Sequence, residues 1–407
     1  MSRRQLMRTL AIMHSDAAAG PPQHVFPWLA QLAESSRVDV VVPAPGSAAD
    51  LFATIGQVSV LDYRRLTYPR GPRALLSLGL CSLREITAFR RHITWTDPDL
   101  VLIVTSTLPA ALVAARLEKR SVIVYVGEIL DKGFSRGRGH SLRGAAVRRV
   151  LGRADALVCC SDAVARQFSN GTTCRVVTVH PGVSSAYRGG DGASFRAAHG
   201  LTDAGPCLAV VGNVTRGRGQ DLVIRALPLI RRHLRDVHCV VAGAPLGPHP
   251  LPVDLAYRRV LGELASEVGV EDRVAFVGVV DRMADLYAAA DIVVNPARLN
   301  ESFGRVALEA MSVGRPVIAA RVGAIPEVLR DEREALLVDP DDHRALAAAV
   351  VRLWTDRDLR ERLVRAGMAL ASRFSEDAGT EAFAAVVDDL LRAAPASRRF
   401  AAVGARR

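Results

Sequence analysis

Short, mostly continuous apolar runs punctuate the chain, and stretches of helical length fill the intervals between them. "LMRTLAIMH", "VDVVVPA", "DLVLIVTS", "SVIVYVGE", "ADALVCCS" and "CRVVTVHPGV" are such runs. Their apolar positions do not alternate with polar ones, the pattern of strands covered on both faces of a parallel sheet. Helical segments lie between them over Phe26 to Glu34, Leu75 to His92 and Leu142 to Leu151. The pattern predicts a doubly wound α/β domain. After the Gly-, Ser- and Ala-rich "HPGVSSAYRGGDGASFRAAHG" it restarts with "CLAVVGN", "VHCVVAGAP", "RVAFVGVV", "ADIVVNPA", "RPVIAAR" and "EALLVDP". Two Rossmann-like halves are therefore expected: a first domain over 1–188, a linker over 189–206 and a second domain over 207–375. A last helix over 376–395 shows helical apolar spacing at Phe383, Val386, Val387, Leu390 and Leu391, and a basic tail over 396–407 is expected to be disordered.

A length of 407 residues with 49% apolar residues suits two domains, each with its own core. The most apolar stretch, Leu100 to Ala115, is interrupted by Thr105, Ser106, Thr107 and Pro109 and falls short of a bilayer span. The basic start "MSRRQLMRTLAIMHSDAAAG" reads as a first strand rather than a secretory leader, because His14, Ser15 and Asp16 cut its apolar part short. The 6 cysteines form neither a CxxC pair nor a regular framework, which fits reduced, buried thiols and a cytoplasmic setting.

Charge is uneven. Residues 1–190 hold 24 Lys and Arg against 13 Asp and Glu, whereas residues 191–407 hold 29 of each. Part of the excess lies in "DKGFSRGRGHSLRGAAVRRVLGRAD", with Lys132, Arg136, Arg138, Arg143, Arg148, Arg149 and Arg153. Such a face suits an anionic membrane surface, an anionic acceptor or nucleic acid, or is a solvated surface.

The densest chemistry is in "NESFGRVALEAMSVGRPVIAARVGAIPEV", where Glu301 and Glu309 bracket a stretch read as a helix from near Ser302 to Gly314. Eight helical positions at ~1.5 Å each separate the carboxylates by about 12 Å. That exceeds the roughly 5–9.5 Å of a glycosidase pair, so the two hold different parts of one elongated ligand. A nucleotide sugar has that length: its hydroxyls suit the carboxylates, and its pyrophosphate suits free N–H groups around Phe303, Gly304, Arg305 and Val306 at the helix start.

The segment "NPARLNESFGRVALEAMSVGRPVIAARVGAIPEVL" resembles the hallmark of family-four retaining glycosyltransferases, P-S/N-x-x-E-x-F-G-x-x-x-x-E-A-M-x-x-G-x-P-V-I followed by a G-G-x-x-E-like turn, with Ala324 in place of the second turn glycine. The resemblance implies a GT-B fold, two Rossmann-like domains facing across a cleft, the first on the acceptor side and the second holding the donor. "CLAVVGNVTRGRGQDLVIRAL" is similar to the family's G-R-x-x-x-x-K-G loop after Gly212: Arg218 takes the lysine position, Gly219 the glycine, and Asn213 stands where an arginine is expected. Arg216 could compensate, or be a surface residue. "RVAFVGVVDRMADLYAAADIVVNPA" looks like the base-contacting strand and loop, with Gly278 and Asp281 as candidates. Gly20 is what remains of the Gly-rich turn near the first strand. Glu128, at the end of a strand, lies where the family places a polar residue near the reacting centre, or caps a helix.

The family implies transfer of a sugar from a nucleotide-sugar donor, UDP- or GDP-linked, to a hydroxyl of a lipid, glycan or small-molecule acceptor, with retention. Glu301 and Glu128 are the catalytic candidates, and Glu309 is the candidate for the ribose. No cofactor or metal is expected, and no HExxH, GxSxG, P-loop or zinc-spaced cluster occurs. Asp97 and Asp99, in a D-P-D triplet, precede a strand at the wrong edge for a site. His14 lines the cleft or is structural. Peripheral contact of the basic first half with an anionic membrane is expected, at the inner membrane face, and no nucleic acid. A non-catalytic protein of the same fold that binds nucleotide sugars or anionic polymers is the alternative.

Overall fold

A computed structural model describes residues 7–18, 20–63, 72–130, 147–169, 172–202, 204–245, 252–298 and 301–393. The Gly-rich part of the basic cluster and the basic tail lie outside these residues. The chain divides into two compact units, one from residues before Val183 together with those from Glu376 onward, the other spanning Val183–Ser375.

The first unit is built on a parallel sheet of β1 (Arg8–Met13), β2 (Arg37–Val42), β3 (Gln57–Val60), β4 (Leu100–Val104), β5 (Ser121–Val126), β6 (Ala156–Cys159) and β7 (Arg175–Thr178). Its order is β3-β2-β1-β4-β5-β6-β7, so the winding reverses between β1 and β4. Every residue of β4 and β5 is buried, as continuous apolar runs require of central strands. The sequence reading passed over β3. As an edge strand it pairs only with β2 and is half-exposed, so no continuous apolar run marks it.

The helix after β1 spans Pro21–Ala33 rather than starting at Phe26. Pro21 and Pro22 occupy its first turn, where a missing N–H leaves no bond unmade. The helix Glu376–Ala393 belongs to this unit and packs on it through a stack of Phe383 on Trp28 at 4.7 Å. Asp97 accepts from Arg8 and Arg120, and Asp99 caps the Arg8 N–H at 2.8 Å, so the D-P-D triplet ties strand starts together.

The second unit holds β8 (Cys207–Val211), β9 (His238–Ala242), β10 (Val274–Gly278), β11 (Ile292–Asn295), β12 (Val317–Ala320) and β13 (Leu336–Val338). All are parallel, in the order β10-β9-β8-β11-β12-β13, and the winding reverses between β8 and β11. Each of the six runs read from the sequence forms a strand. Where the chain enters and leaves this unit, the Val183 N–H donates to Phe374 O at 2.8 Å.

The stretch 189–206 is not a free linker. It contains the helix Gly192–Ala198, capped by Asp191 and packed on the helix Met283–Ala289. Its small residues permit that approach: a Cβ on Gly192 would lie 2.5 Å from Ala288 C. Arg196 then anchors the stretch, donating to Ala289 O at 2.9 Å and pairing with Asp291 at 2.7 Å.

Candidate functional site

In an open parallel sheet, the strands on either side of the winding reversal send their following loops apart, leaving a crevice at their carboxyl ends. In the second unit those loops follow β8 and β11, and they carry Arg218 and Glu301.

Glu301 is 7% exposed. One oxygen, Oε2, accepts from Arg218 Nη1 at 2.7 Å and from Asn295 Nδ2 at 3.3 Å, while Oε1 accepts from the Gly304 N–H at 3.0 Å. Its backbone is equally fixed, since Glu301 O accepts the Ala324 N–H at 2.8 Å. Gly323, in the left-handed region at φ 57°, makes this possible: a Cβ there would stand 2.0 Å from Glu301 O.

The helix after Glu301 spans Arg305–Ser312, not Ser302 onward. The reason is local: the Gly304 N–H turns back to the Glu301 carboxylate, and Gly304 adopts φ 90°, outside the helical region. Glu301 therefore sits on a loop, and the rise of a continuous helix does not measure its separation from Glu309. Among the described residues, no hydrogen bond occupies the N–H groups of Arg305 and Val306, the donors of the first turn.

Glu309 is 6% exposed and enclosed by donors. Tyr287 Oη donates to Oε2 at 2.6 Å, Tyr187 Oη donates to Oε1 at 3.0 Å, and Arg305 Nε lies 2.5 Å from Oε1 as an ion pair off the axis of a hydrogen bond. Arg305 Nη2 also donates to Tyr187 Oη at 3.0 Å, and the two tyrosine rings meet edge to face at 5.7 Å. Burial opposes the charge on Arg305, but Glu309 outweighs it and the guanidinium is held above its usual range. Burial and the Glu309 charge push Tyr187 up to about 12 and Tyr287 well above the usual phenol range, so both remain neutral donors.

Other expected positions spread around this core. Arg218 and Gly219 close a short 3-10 turn after Gly212, and the Arg218 side chain is partly exposed beyond its bond to Glu301. Asn213 is exposed; its carbonyl accepts from Gln220 Nε2 at 2.9 Å, which braces the loop. Arg216 is exposed and lies 5.5 Å over the Tyr257 ring. Gly278 ends β10 with φ 71°, and Asp281 is exposed in the turn beyond it. Phe303 is buried against Phe374 at 5.6 Å, so its side chain serves packing.

In the first unit, Glu128 follows β5 and accepts from Thr105 Oγ1 at 2.6 Å, Ser106 Oγ at 3.1 Å and the Gly127 N–H at 3.2 Å. It thus crosses to the loop after β4, at that sheet's own winding reversal, and caps no helix. Gly20, at φ 62°, precedes the first helix. The His14 ring bonds Val104 O at 3.0 Å. Among the described residues no group of three His, Cys, Asp or Glu could hold a metal ion, and no helix is long and apolar enough to cross a membrane.

Sequence reasoning missed Tyr187, Tyr287, Asn295 and the cluster in which Arg298 clamps Asp221 through bonds of 2.6 and 2.7 Å. Asn295 ends β11 inside the quoted "NPA", the one signal available; Tyr187 lies 122 residues before its partner. A cavity of about 490 Å³ opens near Arg315, Trp354 and Arg360, at the amino edge of the sheet and away from this chemistry. There Arg315 and Arg360 donate to carbonyls at helix ends, Ala288 O and Trp354 O, which is a capping role.

Two doubly wound units, the second carrying buried carboxylates, an arginine and a helix start at its winding reversal, define the class of GT-B proteins. The chain belongs to the family-four, group 1 glycosyltransferases: the model described as Glycosyltransferase Family 4 matches residues 20–187, and that described as Glycosyl transferases group 1 matches 205–356. A D-inositol 3-phosphate glycosyltransferase of Acidothermus cellulolyticus is 35% identical over 274 residues, 63% of this chain and 58% of that protein. That of Mycobacteroides abscessus is 34% identical over 257 residues, 62% of this chain and 54% of that one. The chain thus spans a little over half the length of these curated relatives. Among solved structures, Anabaena HepE in complex with UDP-glucose has a TM-score of 0.78 at 20% identity, over 94% of this chain and 100% of that one. Sucrose-phosphate synthase from Thermosynechococcus elongatus has a TM-score of 0.77 at 22% identity, over 95% and 100%. Both likenesses are of fold.

Proposed function

We propose that the chain transfers a sugar, with retention of anomeric configuration, from a nucleotide-sugar donor to a hydroxyl of a lipid, glycan or small-molecule acceptor. The observation that carries this is the buried Glu301 beside Arg218 at the winding reversal of the second sheet. Arg218 and the N–H groups of Arg305 and Val306 hold the diphosphate, where negative charge grows as its bond to the sugar breaks. Glu301 orients the sugar and faces the positive charge that develops on it. Glu309, with lone pairs left after its tyrosine and arginine bonds, receives the ribose hydroxyls. The acceptor oxygen bonds to the anomeric carbon, and its proton passes to a phosphate oxygen of the leaving diphosphate. Glu128 serves the acceptor side. No metal enters this scheme. UDP is the first nucleotide to test, because the Anabaena protein is in complex with UDP-glucose. The basic first half makes peripheral contact with an anionic membrane on the cytoplasmic side.

Thermal unfolding of wild type and Glu309→Ala with UDP, GDP, ADP, dTDP and their sugars tests the reading. A ligand at about 100 times its Kd stabilises by ~2.7 kcal/mol. One nucleotide series raises the wild-type midpoint, and the variant loses that response. A flat response in every series moves the non-catalytic binding protein ahead, with exposed Asn213 in the arginine position as the cause.

A further inference from the structure

Arg298 follows β11 and comes shortly before Glu301 in the sequence. Its loop meets the one after β8 through backbone. The Arg298 N–H donates to Gly217 O at 2.9 Å, and Gly219, at φ 72°, approaches so closely that a Cβ there would stand 2.1 Å from Pro296 O. The Arg298 side chain adds the rest. Nη1 donates to Arg216 O at 3.0 Å and to Asp221 Oδ1 at 2.6 Å, Nη2 donates to Asp221 Oδ2 at 2.7 Å, and Nε donates to Asp341, which lies beyond β13.

These partners take up the charge of the guanidinium. Asp221 is the more buried of its two carboxylates, with a side chain 17% exposed, and it also accepts from Tyr257 Oη at 2.7 Å. Arg216 lies over the Tyr257 ring, and Arg218 is left to pair with Glu301 at 2.7 Å. Arg298 thus grips residues 216 and 217 on one side of Arg218 and Asp221 on the other. A planar fork with donors in fixed directions holds a carboxylate edge and a carbonyl at once, which the point charge of a lysine does not. The Arg218 side chain is 39% exposed, so the order of its turn comes from this clamp more than from burial.

We infer that Arg298 is a positioning residue of the donor site: it fixes the turn over residues 216–221 so that Arg218 meets the donor diphosphate from an ordered loop, and it touches no ligand itself. The inference rests on the donor reading proposed above and deepens it, assigning the order of the phosphate grip in a loop where Asn213 stands in the arginine position. A loop already ordered spares the ligand the conformational entropy of fixing it, so the effect falls on affinity for the diphosphate and not on affinity for the nucleoside.

UDP, GDP, ADP and dTDP, each beside its own nucleoside, are titrated calorimetrically into the full chain. Wild type is compared with Arg298→Ala, Arg298→Lys, Arg218→Ala and the double variant Arg218→Ala with Arg298→Ala. The expected result is that one diphosphate binds wild type and that Arg298→Ala weakens it about tenfold while its nucleoside binds as before. Arg298→Lys, which keeps the charge toward Asp221 but not the fork, is weakened less. The double variant is no weaker than Arg218→Ala, because Arg298 acts through that side chain. If Arg298→Ala does not fold, Arg298→Ala with Asp221→Asn leaves no buried carboxylate unpaired and carries the same comparison. Equal diphosphate affinity in wild type and Arg298→Ala, an equal loss for diphosphate and nucleoside, or additive losses in the double variant overturns the inference and leaves the donor reading standing. A wild type that binds none of the diphosphates overturns both.

Discussion

Removing one hydroxyl, in Tyr287→Phe, measures how far the donor cage around Glu309 determines the second unit. Tyr287 is fully buried, and its Oη is the only donor to Glu309 Oε2 among the described residues, at 2.6 Å. The ring and its edge-to-face contact with Tyr187 are retained in the variant, so the loss is confined to one charge-assisted hydrogen bond. Such a bond contributes about 1.5–3 kcal/mol, and a buried carboxylate oxygen left without a donor places the cost toward the upper end. For a unit of this size that lowers the melting midpoint by roughly 4–10 °C. Tyr257→Phe is the control. Tyr257 Oη donates to Asp221 at 2.7 Å, but Asp221 keeps both Arg298 bonds, so the expected loss is about 0.5–1.5 kcal/mol. Calorimetry of the three proteins decides, with UDP titrated into each: Tyr287→Phe also binds UDP several-fold more weakly, because Glu309 is no longer held. A midpoint within about 1 °C of wild type, or a larger loss in Tyr257→Phe, refutes the argument that the cage is a cooperative network.

Gly323→Ala forces a Cβ toward Glu301 O and a left-handed φ on alanine; a loss of about 3 kcal/mol or more in urea unfolding, with nucleotide binding abolished, is the expected outcome. Burial acts to raise the Asp221 carboxyl, but Arg298 and Tyr257 outweigh it and hold it below its usual range. Its stabilisation is therefore present above the unfolded value of about 3.9 and disappears as pH falls through the lower folded value; the urea midpoint of wild type drops across that window, and that of Asp221→Asn drops less. Phe383→Ala removes the ring stacked on Trp28 and costs the first unit about 3–5 kcal/mol, read as a lower midpoint with an unchanged one for the second unit.

What could be read in advance was whatever a single segment encodes. Strands buried on both faces announce themselves as apolar runs, so β4 and β5 were legible; β7 and β10, half-exposed edge strands, were legible because their apolar residues still adjoin one another, whereas the four-residue edge strand β3, with Gln57 and Ser59 alternating with valines, was not. Gly- and Ser-rich composition suggested a linker over 189–206, yet the same small residues serve close packing once Arg196 supplies an anchor, and composition cannot separate the two uses. Glu301 and Glu309 were visible because their motif is local. Their environment was not: Arg218, Tyr187 and Tyr287 reach them from 83, 122 and 22 residues away, through the sheet order rather than through spacing. The helix start illustrates the limit most directly. Read as a string, Ser302 to Gly314 is one helical pattern; in the fold, the Glu301 carboxylate takes the Gly304 N–H and delays the helix to Arg305. That delay takes Glu301 off the helix, seats it against Arg218 and leaves the N–H groups of Arg305 and Val306 without a hydrogen bond among the described residues. A carboxylate, a guanidinium and open helix donors are thus gathered at one point by a residue whose first task is to end a loop, which is why Glu301→Gln separates the two roles: the amide oxygen still accepts the Gly304 N–H and keeps the turn, while its NH2 replaces the oxygen that accepts from Arg218 and Asn295 and carries no charge. A loss of no more than about 3 kcal/mol in thermal unfolding of Glu301→Gln, the cost of two donors left facing an amide nitrogen, with sugar transfer lost, is the result this argument requires; a collapse of stability instead would assign Glu301 to structure.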